Sequence, residues 1–236
     1  MQESTTQSKP HRESLETKEY IAKWAAKNFF FSLNDEWGRM GMLGVFGDYV
    51  LSSLPGNILE IGCGESSIYL SSLALKYRRH SYHCDIAPSK ILNPLTVPGY
   101  IYPQAYFPPE GQAPKCLEFS DTTLFMGPSD EFFRDIRFLP IALAFIDGDH
   151  IYEQVKKDFE NTVKLVQDNG FILLHDTYPP SEEYLDENRC GTVYRLRQEI
   201  EKDPRFDCMT LVRGTAIDVG LTIVRKKPLN LPEYQQ

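Results

Sequence analysis

The sequence has no long apolar run, no excess of positive charge and no apolar stretch near residue 1. None of its apolar runs approaches the ~20 residues of a membrane span, and the polar residues 1–14 contain no apolar signal-peptide core. The formal net charge of −8 argues against nucleic acid or an anionic membrane as the default partner. We therefore expect a cytoplasmic protein that binds neither nucleic acid nor membrane.

Paired cysteine motifs are also missing. The 5 cysteines are scattered, odd in number and form no C-x-x-C pair, which argues against a disulfide framework. We expect idle or buried thiols in a reducing compartment. The cysteines are Cys63, Cys84, Cys116, Cys190 and Cys208.

The length of 236 residues is sufficient for one α/β domain with a sizeable core. We predict a disordered tail over residues 1–14 and a single domain over residues 15–236, in which residues 15–56 form N-terminal helices. Apolar residues recur on one helical face over 15–30 and again over 43–54. No internal repeat and no second domain are evident.

An apolar strand runs into a glycine turn at residues 57–67. Gly62 and Gly64 allow the backbone to approach a ligand closely, and the N-terminus of the following helix supplies N–H donors. The next strand ends on Asp85, an acid that can accept both hydroxyls of a ribose. Glu60 lies two residues before the first glycine, where it suits a cofactor with a cationic amino-acid end better than a pyrophosphate.

Two further apolar strands end on carboxylate and imidazole groups. Asp147 follows one strand, His175 and Asp176 follow the other, and an amphipathic helix predicted over Tyr152–Gln167 connects them. A strand–helix–strand unit of this length forms a right-handed parallel crossover, so both strand ends lie at the same edge of one sheet. These three side chains should converge where α/β sheets bind their ligands.

These motifs resemble those of the class I S-adenosylmethionine-dependent methyltransferases. The turn Leu59–Gly64 is similar to their first motif, and Asp85 to their ribose-binding acid. The segments Ile146–Tyr152 and Gly170–Thr177 are similar to the macrocin, novobiocin and cephalosporin-pathway O-methyltransferases, and the resemblance covers roughly residues 40–226. It implies a Rossmann-like α/β fold: one doubly wound sheet, mostly parallel with an antiparallel strand near the C-terminal end, and helices on both faces.

The resemblance implies S-adenosylmethionine as the cofactor. Glu60 would face its cationic amino group and Asp85 its ribose hydroxyls. The third predicted strand is Thr122–Met126, and the start of the helix that follows it would approach the adenine. The predicted cofactor contacts are Glu60, Gly62, Gly64, Ser66, Asp85 and Ser129.

A divalent cation, Mg²⁺ or Mn²⁺, is the second implied cofactor, because an ion chelated by substrate oxygens lowers the pKa of a hydroxyl acceptor and orients it. Asp147, His175 and Asp176 are its predicted ligands. Related enzymes often have a carboxylate in place of His175, and imidazole is a poor Mg²⁺ ligand. Either the site prefers a transition metal, or His175 points elsewhere and Asp149 substitutes. Without a metal, the acids would cap helices and His175 would pack against the sheet.

Two residues compete for the role of general base. His150 follows Asp147 by three positions, where catechol-type enzymes have a lysine, and imidazole has a suitable intrinsic pKa near pH 7. Asp149 matches the acid of the antibiotic-pathway enzymes. The sequence leaves this choice open, as it leaves open that His150 is simply an exposed histidine at a helix start.

Two long segments interrupt the alternation of strands and helices. Residues 87–115 contain seven prolines, which are hostile to a helix interior, and predict either a surface loop packed on its own rings or a wall of the substrate cleft. Residues 178–188 follow the predicted metal ligands and are the better candidate for a lid over the acceptor. A helix over Val193–Ile200 and β-rich segments at Asp207–Val212 and Gly220–Val224 would complete the fold.

The predicted activity is methyl transfer to a small-molecule hydroxyl. A non-catalytic, nucleoside-binding relative of the fold is the main alternative. A nicotinamide-dependent oxidoreductase is the other, and Ser67 argues against it because it occupies the third position of the G-x-G-x-x-G/A fingerprint. The acceptor and the oligomeric state, monomer or homo-oligomer, remain open.

Overall fold

The structure is a computed structural model that describes part of the chain. The described residues are 38–64, 66–86, 115–118, 121–212 and 219–228. The predicted tail, the predicted helix at 15–30 and the proline-rich segment up to residue 114 lie outside them.

The described part of the chain contains five α-helices and eight strands. The helices are α1 (Gly38–Ser53), α2 (Ser66–Tyr77), α3 (Ser129–Asp135), α4 (Tyr152–Leu165) and α5 (Val193–Ile200). The strands are β1 (Asn57–Ile61), β2 (Ser81–Asp85), β3 (Cys116–Glu118), β4 (Thr122–Met126), β5 (Ile141–Ile146), β6 (Val166–His175), β7 (Phe206–Leu211) and β8 (Leu221–Lys226). A short 3₁₀ helix covers Glu182–Leu185. None of the described helices is long and apolar enough to cross a membrane.

All eight strands form one mixed sheet in the order β3-β4-β2-β1-β5-β6-β8-β7. The strands from β4 to β6 are parallel, while β8 pairs antiparallel with both β6 and β7. This confirms the predicted doubly wound sheet and its antiparallel C-terminal pair. The short strand β3, antiparallel to β4, is an addition to the predicted sheet. The carboxyl ends of the five parallel strands share one edge, which is the ligand-binding edge of such folds.

The core consists of two apolar clusters, one on each face of the sheet. Successive strand residues face opposite sides, so Ala144 and Ile146 of β5 join one cluster while Leu143 and Phe145 join the other. Helices α3, α4 and α5 cover the first face, and α1 and α2 cover the second. Burial on both faces explains why β5 is a continuous apolar run.

The junction between α4 and β6 differs from the prediction. The helix ends at Leu165 rather than Gln167, because Val166 leaves the helix with ψ of 127° and pairs with Ile141. β6 is therefore ten residues long, with Asn169 at φ of +63° within it. Asparagine tolerates this left-handed conformation better than most residues do.

Candidate active site

The first residues after β1 and β5 remain hydrogen-bonded to the last residues of the neighbouring strands. The N–H of Gly62 donates to the carbonyl of Cys84 at 2.9 Å, and the N–H of Asp147 donates to the carbonyl of Ile61 at 2.8 Å. The predicted cofactor turn and the predicted acid turn lie side by side, with Gly62 against the backbone of Asp147 and Gly148.

The two glycines of the first turn have different roles. Gly62 has φ of +84°, and a Cβ atom there would overlap the carbonyl oxygen of Asp147. A Cβ atom on Gly64 would meet no atom of the described residues within 4 Å. Gly62 is thus needed for the packing of two turns, whereas Gly64 borders open space and is where a ligand can approach the backbone.

The carboxylate of Glu60 is held inside the protein. Glu60 has an exposed fraction of 0%, and its oxygens accept hydrogen bonds from Ser66 Oγ at 2.6 Å, Ser67 Oγ at 2.7 Å and His83 Nδ1 at 2.5 Å. The side chains of Glu60 and Ser66 thus bond to each other in this structure, and a contact between Ser66 and a cofactor stays a prediction. A buried carboxylate requires hydrogen-bond partners, and here α2 and β2 supply them. A contact between Glu60 and a cationic group stays a prediction.

His83 is the residue that sequence reasoning missed at this turn. It is buried in β2 directly opposite Glu60, because the parallel pairing of β1 and β2 places these two residues in register. Pairing the two strands in the sequence would have indicated the contact. Cys63 lies beside both side chains, and burial raises the pKa of its thiol well above the ordinary value.

Asp85 lies at the end of β2 and holds the same turn. Its Oδ2 atom accepts a hydrogen bond from the N–H of Cys63 at 2.9 Å, and the residue is 7% exposed. On its other side, the N–H of Gly127 donates to the Asp85 carbonyl at 3.0 Å. Asp85 therefore lies between the glycine turn and the turn that leads to Ser129 at the start of α3.

Four of the predicted site residues converge beside this turn as alternating acids and imidazoles. His175 Nδ1 lies 3.1 Å from Asp147 Oδ1 and 3.2 Å from Asp176 Oδ2. His150 Nε2 lies 3.0 Å from the same oxygen of Asp176. The other ring nitrogen of His150 lies 3.0 Å from the carbonyl oxygen of Glu187. His150 is therefore part of the cluster and not an isolated surface residue.

Protonated histidines offset the negative charge of the carboxylates in this cluster. Burial lowers the pKa of His175, but the carboxylates of Asp147 and Asp176 outweigh burial and raise that pKa to about 10. The hydrogen bond with Asp176 raises the pKa of His150 as well. Burial would raise the pKa of Asp176, but the two imidazoles hold it well below its ordinary value. Near pH 7, a His175 imidazolium therefore lies between two carboxylates.

The backbone at Asp176 is in the left-handed region, with φ of +56°. Such conformations cost energy in non-glycine residues and often occur at functional sites. The following residue, Thr177, is fully buried, and its carbonyl accepts a hydrogen bond from Arg197 Nε at 3.0 Å. Arg197 and the Thr177 side chain, which bonds to Thr222, thereby fix the turn that carries Asp176.

The three predicted metal ligands fit a divalent ion. The ligand atoms of Asp147, His175 and Asp176 lie within 4.8 Å of one another. Two carboxylate oxygens and one imidazole nitrogen suit Mn²⁺ or another transition ion better than Mg²⁺. Nε2 of His175 is buried without a hydrogen-bond partner among the described residues, so no bond on that side holds the ring. An ion would replace the proton on His175, which makes its binding pH-dependent.

Asp149 does not join the cluster. It is exposed, and its Oδ1 atom accepts a hydrogen bond from the N–H of Ile151 at 2.8 Å, immediately before α4. Among the three acids after β5 and β6, Asp149 is therefore the one that the structure places at a helix start. The suggestion that it replaces His175 as a metal ligand has no support in these contacts.

The segment predicted as a lid, residues 178–188, is attached at both ends. The N–H of Tyr178 donates to the carbonyl of Val219 at 2.8 Å, and the carbonyl of Glu187 contacts His150. Between these points lies the 3₁₀ helix, whose side chains are mostly exposed. Ordering of this segment over an acceptor stays a prediction.

A family model for a methyltransferase domain matches residues 59–177, which is half of the chain. The chain belongs to this methyltransferase domain family. The match contains the glycine turn, Asp85 and the whole acid–imidazole cluster. This match argues against the alternative function of a nicotinamide-dependent oxidoreductase. A search of curated proteins returns no significant match.

Solved methyltransferase structures share the fold of this domain at low sequence identity. TomG, an O-methyltransferase from Streptomyces achromogenes solved with S-adenosylmethionine, has a TM-score of 0.58 and 16% identity, with 92% of each chain covered. An O-methyltransferase from Bacillus cereus solved with S-adenosylhomocysteine has a TM-score of 0.56 and 14% identity, with 91% of this chain and 92% of that chain covered. The mycinamycin-pathway methyltransferase MycE, solved with Mg, S-adenosylhomocysteine and mycinamycin VI, has a TM-score of 0.52 and 16% identity, with 91% of this chain and 57% of that chain covered.

Proposed function

We propose that this methyltransferase domain binds S-adenosylmethionine and transfers its methyl group to a hydroxyl of a small molecule. The observation that carries the proposal is the convergence of Asp147, His150, His175 and Asp176 directly beside the Gly64 turn. The S-adenosylmethionine bound to TomG and the S-adenosylhomocysteine bound to the Bacillus cereus enzyme support the proposal. The motifs at residues 146–152 and 170–177 resemble those of the macrocin, novobiocin and cephalosporin-pathway group, and the identity of the acceptor stays open.

The order of the strands suggests how the cofactor lies along the edge. The amino-acid end would lie at the open side of Gly64, after β1, and the ribose at Asp85, after β2. β4 is the next strand outward, so the base would lie near Ser129. The sulfonium then points toward β5 and β6, where the acid–imidazole cluster lies. Methyl transfer requires sulfur, carbon and oxygen in line, and such positioning can contribute ~7–11 kcal/mol.

Asp147, His175 and Asp176 would hold a divalent ion next to the acceptor. When bound, such an ion acts as a Lewis acid that lowers the pKa of the acceptor hydroxyl. The Mg found with MycE supports this part of the proposal. The turn fixed by Arg197 and Thr177 keeps Asp176 at the cluster.

We assign the role of proton acceptor to His150 rather than Asp149. The carbonyl of Glu187 can only accept, so Nδ1 of His150 must donate to it. Nε2 is then the nitrogen that exchanges a proton, and it faces the cluster through Asp176. Asp149 is exposed, and its carboxylate already accepts the N–H of Ile151 immediately before α4.

A non-catalytic, nucleoside-binding relative is the competing function. One observation favours it: the hydrogen-bonding groups of Glu60 and His150 are already satisfied within the chain. An enzyme with this arrangement must rearrange at least one of these contacts when it binds its ligands.

Calorimetry with S-adenosylhomocysteine, followed by methyl-transfer assays on phenolic, sugar and polyketide alcohols, separates these functions. We expect binding, and transfer that a chelator abolishes. Asp85→Ala should weaken binding by ~1.5–3 kcal/mol, whereas Asp207→Ala at a distant, exposed ion pair should not. Binding without transfer to any acceptor would support the non-catalytic relative. No binding of the nucleoside would refute both functions.

A further inference from the structure

Three buried side chains with metal-binding atoms meet at the glycine turn, in a group that shares no residue with the acid–imidazole cluster. These atoms are a carboxylate oxygen of Glu60, the sulfur of Cys63 and a ring nitrogen of His83, and they lie within 4.8 Å of one another. Glu60 is 0% exposed, His83 1% and Cys63 6%. The proposed reaction uses neither the thiol of Cys63 nor the imidazole of His83. Two neighbouring strands and the turn between β1 and α2 supply the three donors.

This donor set differs chemically from that of Asp147, His175 and Asp176. A thiolate is a soft ligand, and thiolate, imidazole and carboxylate are the ligands that Zn²⁺ takes in proteins. A divalent ion bound to one thiolate, one carboxylate and one neutral imidazole has no net charge, which limits the cost of burying it. The carboxylate of Asp85 accepts the N–H of Cys63 at 2.9 Å and adds a negative potential that favours a cation nearby.

Outer hydrogen bonds already orient two of the three donors. Ser66 Oγ donates to Oε1 of Glu60 at 2.6 Å, and Ser67 Oγ donates to Oε2 at 2.7 Å. Ser71 Oγ lies 3.4 Å from Nε2 of His83, so Nε2–H can donate to this hydroxyl while Nδ1 binds an ion. Partners of this kind are the usual support of metal-binding carboxylates and histidines. All three serines lie on α2, so a single helix supports the group.

Binding an ion requires a small local movement. Nδ1 of His83 lies 2.5 Å from Oε2 of Glu60, whereas two ligand atoms of a tetrahedral Zn²⁺ are roughly 3.3–3.6 Å apart. The imidazole and the carboxylate must therefore separate by about 1 Å, and the thiol must release its proton to solvent. Gly64, the neighbour of Cys63, borders open space among the described residues, which gives an ion a side from which to enter.

We propose that Glu60, Cys63 and His83 form a Zn²⁺ site that joins β1, β2 and the glycine turn. The ion binds the carboxylate, the thiolate and Nδ1 of the imidazole, and the imidazole keeps its proton at Nε2 beside Ser71. Because donors from two strands and a turn come together only in the folded chain, Zn²⁺ stabilises the fold. This inference does not depend on the proposed function, since the ion binds without S-adenosylmethionine.

Co²⁺ is the probe, because a thiolate bound to Co²⁺ gives an intense near-ultraviolet charge-transfer band that oxygen and nitrogen ligands do not give. Titration of the reduced, chelator-treated wild type with Co²⁺ should produce this band, and Zn²⁺ should abolish it by displacing Co²⁺. Cys63→Ser should lose the band, and His83→Gln should need at least about tenfold more Co²⁺ to reach it. Zn²⁺ should also raise the melting temperature of the wild type more than that of Cys63→Ser.

Cys84→Ser and Cys190→Ser are the matched controls, and both should keep the band. Cys84 is the buried neighbour of His83 in β2 and faces the other side of the sheet. Cys190 Sγ lies 3.8 Å from Oδ1 of Asp176, so its variant tests whether the thiolate belongs to the acid–imidazole cluster. Asp147→Ala, in which that cluster is incomplete, should keep the band as well.

Three results would overturn the proposal. They are a wild type that shows no band in excess Co²⁺, a band that persists in Cys63→Ser, and a band that is lost in Cys190→Ser but not in Cys63→Ser. If Cys63→Ser does not fold, His83→Gln decides, and a Co²⁺ titration equal to that of the wild type would overturn the site. Binding of S-adenosylhomocysteine is measured separately, so a failure of the proposed function is distinguished from a failure of this site.

Discussion

His150 Nε2 and His175 Nδ1 share one acceptor, the Oδ2 atom of Asp176, at 3.0 and 3.2 Å. The candidate base and the candidate metal ligand are thereby connected through a single carboxylate oxygen. Any change in the charge at Asp176 must alter the proton affinity of both imidazoles. The first two predictions follow from this connection.

His150→Gln should lower kcat by about 100-fold or more, because glutamine keeps a polar side chain of similar reach but cannot take up a proton. Asp149→Asn is the matched control and should retain most activity. In the wild type, activity should rise with pH through the pKa of His150, which Asp176 raises above its ordinary value. That limb of the pH–rate profile should disappear in His150→Gln. The reverse pattern, with Asp149→Asn inactive and His150→Gln active, would assign the base to Asp149.

Asp147→Ala and Asp176→Ala should each abolish metal-dependent methyl transfer. The affinity for S-adenosylhomocysteine should change by no more than about twofold, because these side chains lie at strand ends other than those assigned to the cofactor. Titration with Mn²⁺ and Mg²⁺ after exhaustive chelation measures the metal response. We expect Mn²⁺ to restore activity better than Mg²⁺, and His175→Asp to shift this preference toward Mg²⁺, a harder ion that favours oxygen ligands. Full activity after chelation would make the acids structural.

The two glycines of the first turn should respond differently to alanine. Gly62→Ala should lower the free energy of unfolding by roughly 2 kcal/mol or more, because φ of +84° is strained for an L side chain and its Cβ overlaps Asp147. Gly64→Ala should leave the melting temperature unchanged but weaken nucleoside binding, since its Cβ enters open space. Thermal melts and calorimetry on both variants measure this. Equal losses of stability would show that Gly64 is also a packing residue.

Asp158 should make the protein less stable as the pH rises. Burial raises its pKa to about 6 in the folded protein, above the value of about 3.9 for an unfolded chain. Its stabilising contribution is complete below about pH 4 and is lost as the pH rises through about 6. Relative to the wild type, Asp158→Asn should therefore gain roughly 1–3 kcal/mol in free energy of unfolding between pH 5 and 8. Urea titrations at the two pH values measure this, with Asp207→Asn as an exposed control. Parallel behaviour of wild type and variant would mean that Asp158 does not titrate in this range.

Residues 178–188 should gain protection from hydrogen exchange when acceptor and cofactor are both present. The attachment points at Tyr178 and Glu187 suggest that the gain will be largest in the exposed 3₁₀ helix between them. Shortening this helix should raise KM for the acceptor far more than the dissociation constant of S-adenosylmethionine. Amides already protected without ligands would show that the segment is fixed structure and that the acceptor enters elsewhere.

Most of the sheet and the place of the site follow from local patterns in the amino-acid sequence. Continuous apolar runs such as β5, helical spacing in α4 and glycine at two turns are local signals, and the right-handed crossover rule converts them into shared strand ends. Asp147, His175 and Asp176 could therefore be predicted to meet before any coordinates were known. The end of α4 could not, because Val166 leaves the helix to pair with Ile141 on another strand.

Most contacts of the site residues are seen only once the chain is folded. Glu60 bonds to His83 because the register of β1 and β2 places them opposite each other. Gly62 packs against the backbone of Asp147 because their two turns meet. His150 bonds to Asp176 on one side and contacts the carbonyl of Glu187 on the other. Each of these contacts joins residues that are distant in sequence, and its partner is selected by burial and by the need to satisfy every enclosed polar group. Pairing β1 with β2 in the sequence could have indicated the Glu60–His83 contact, whereas the other two contacts are set only when the turns and loops pack.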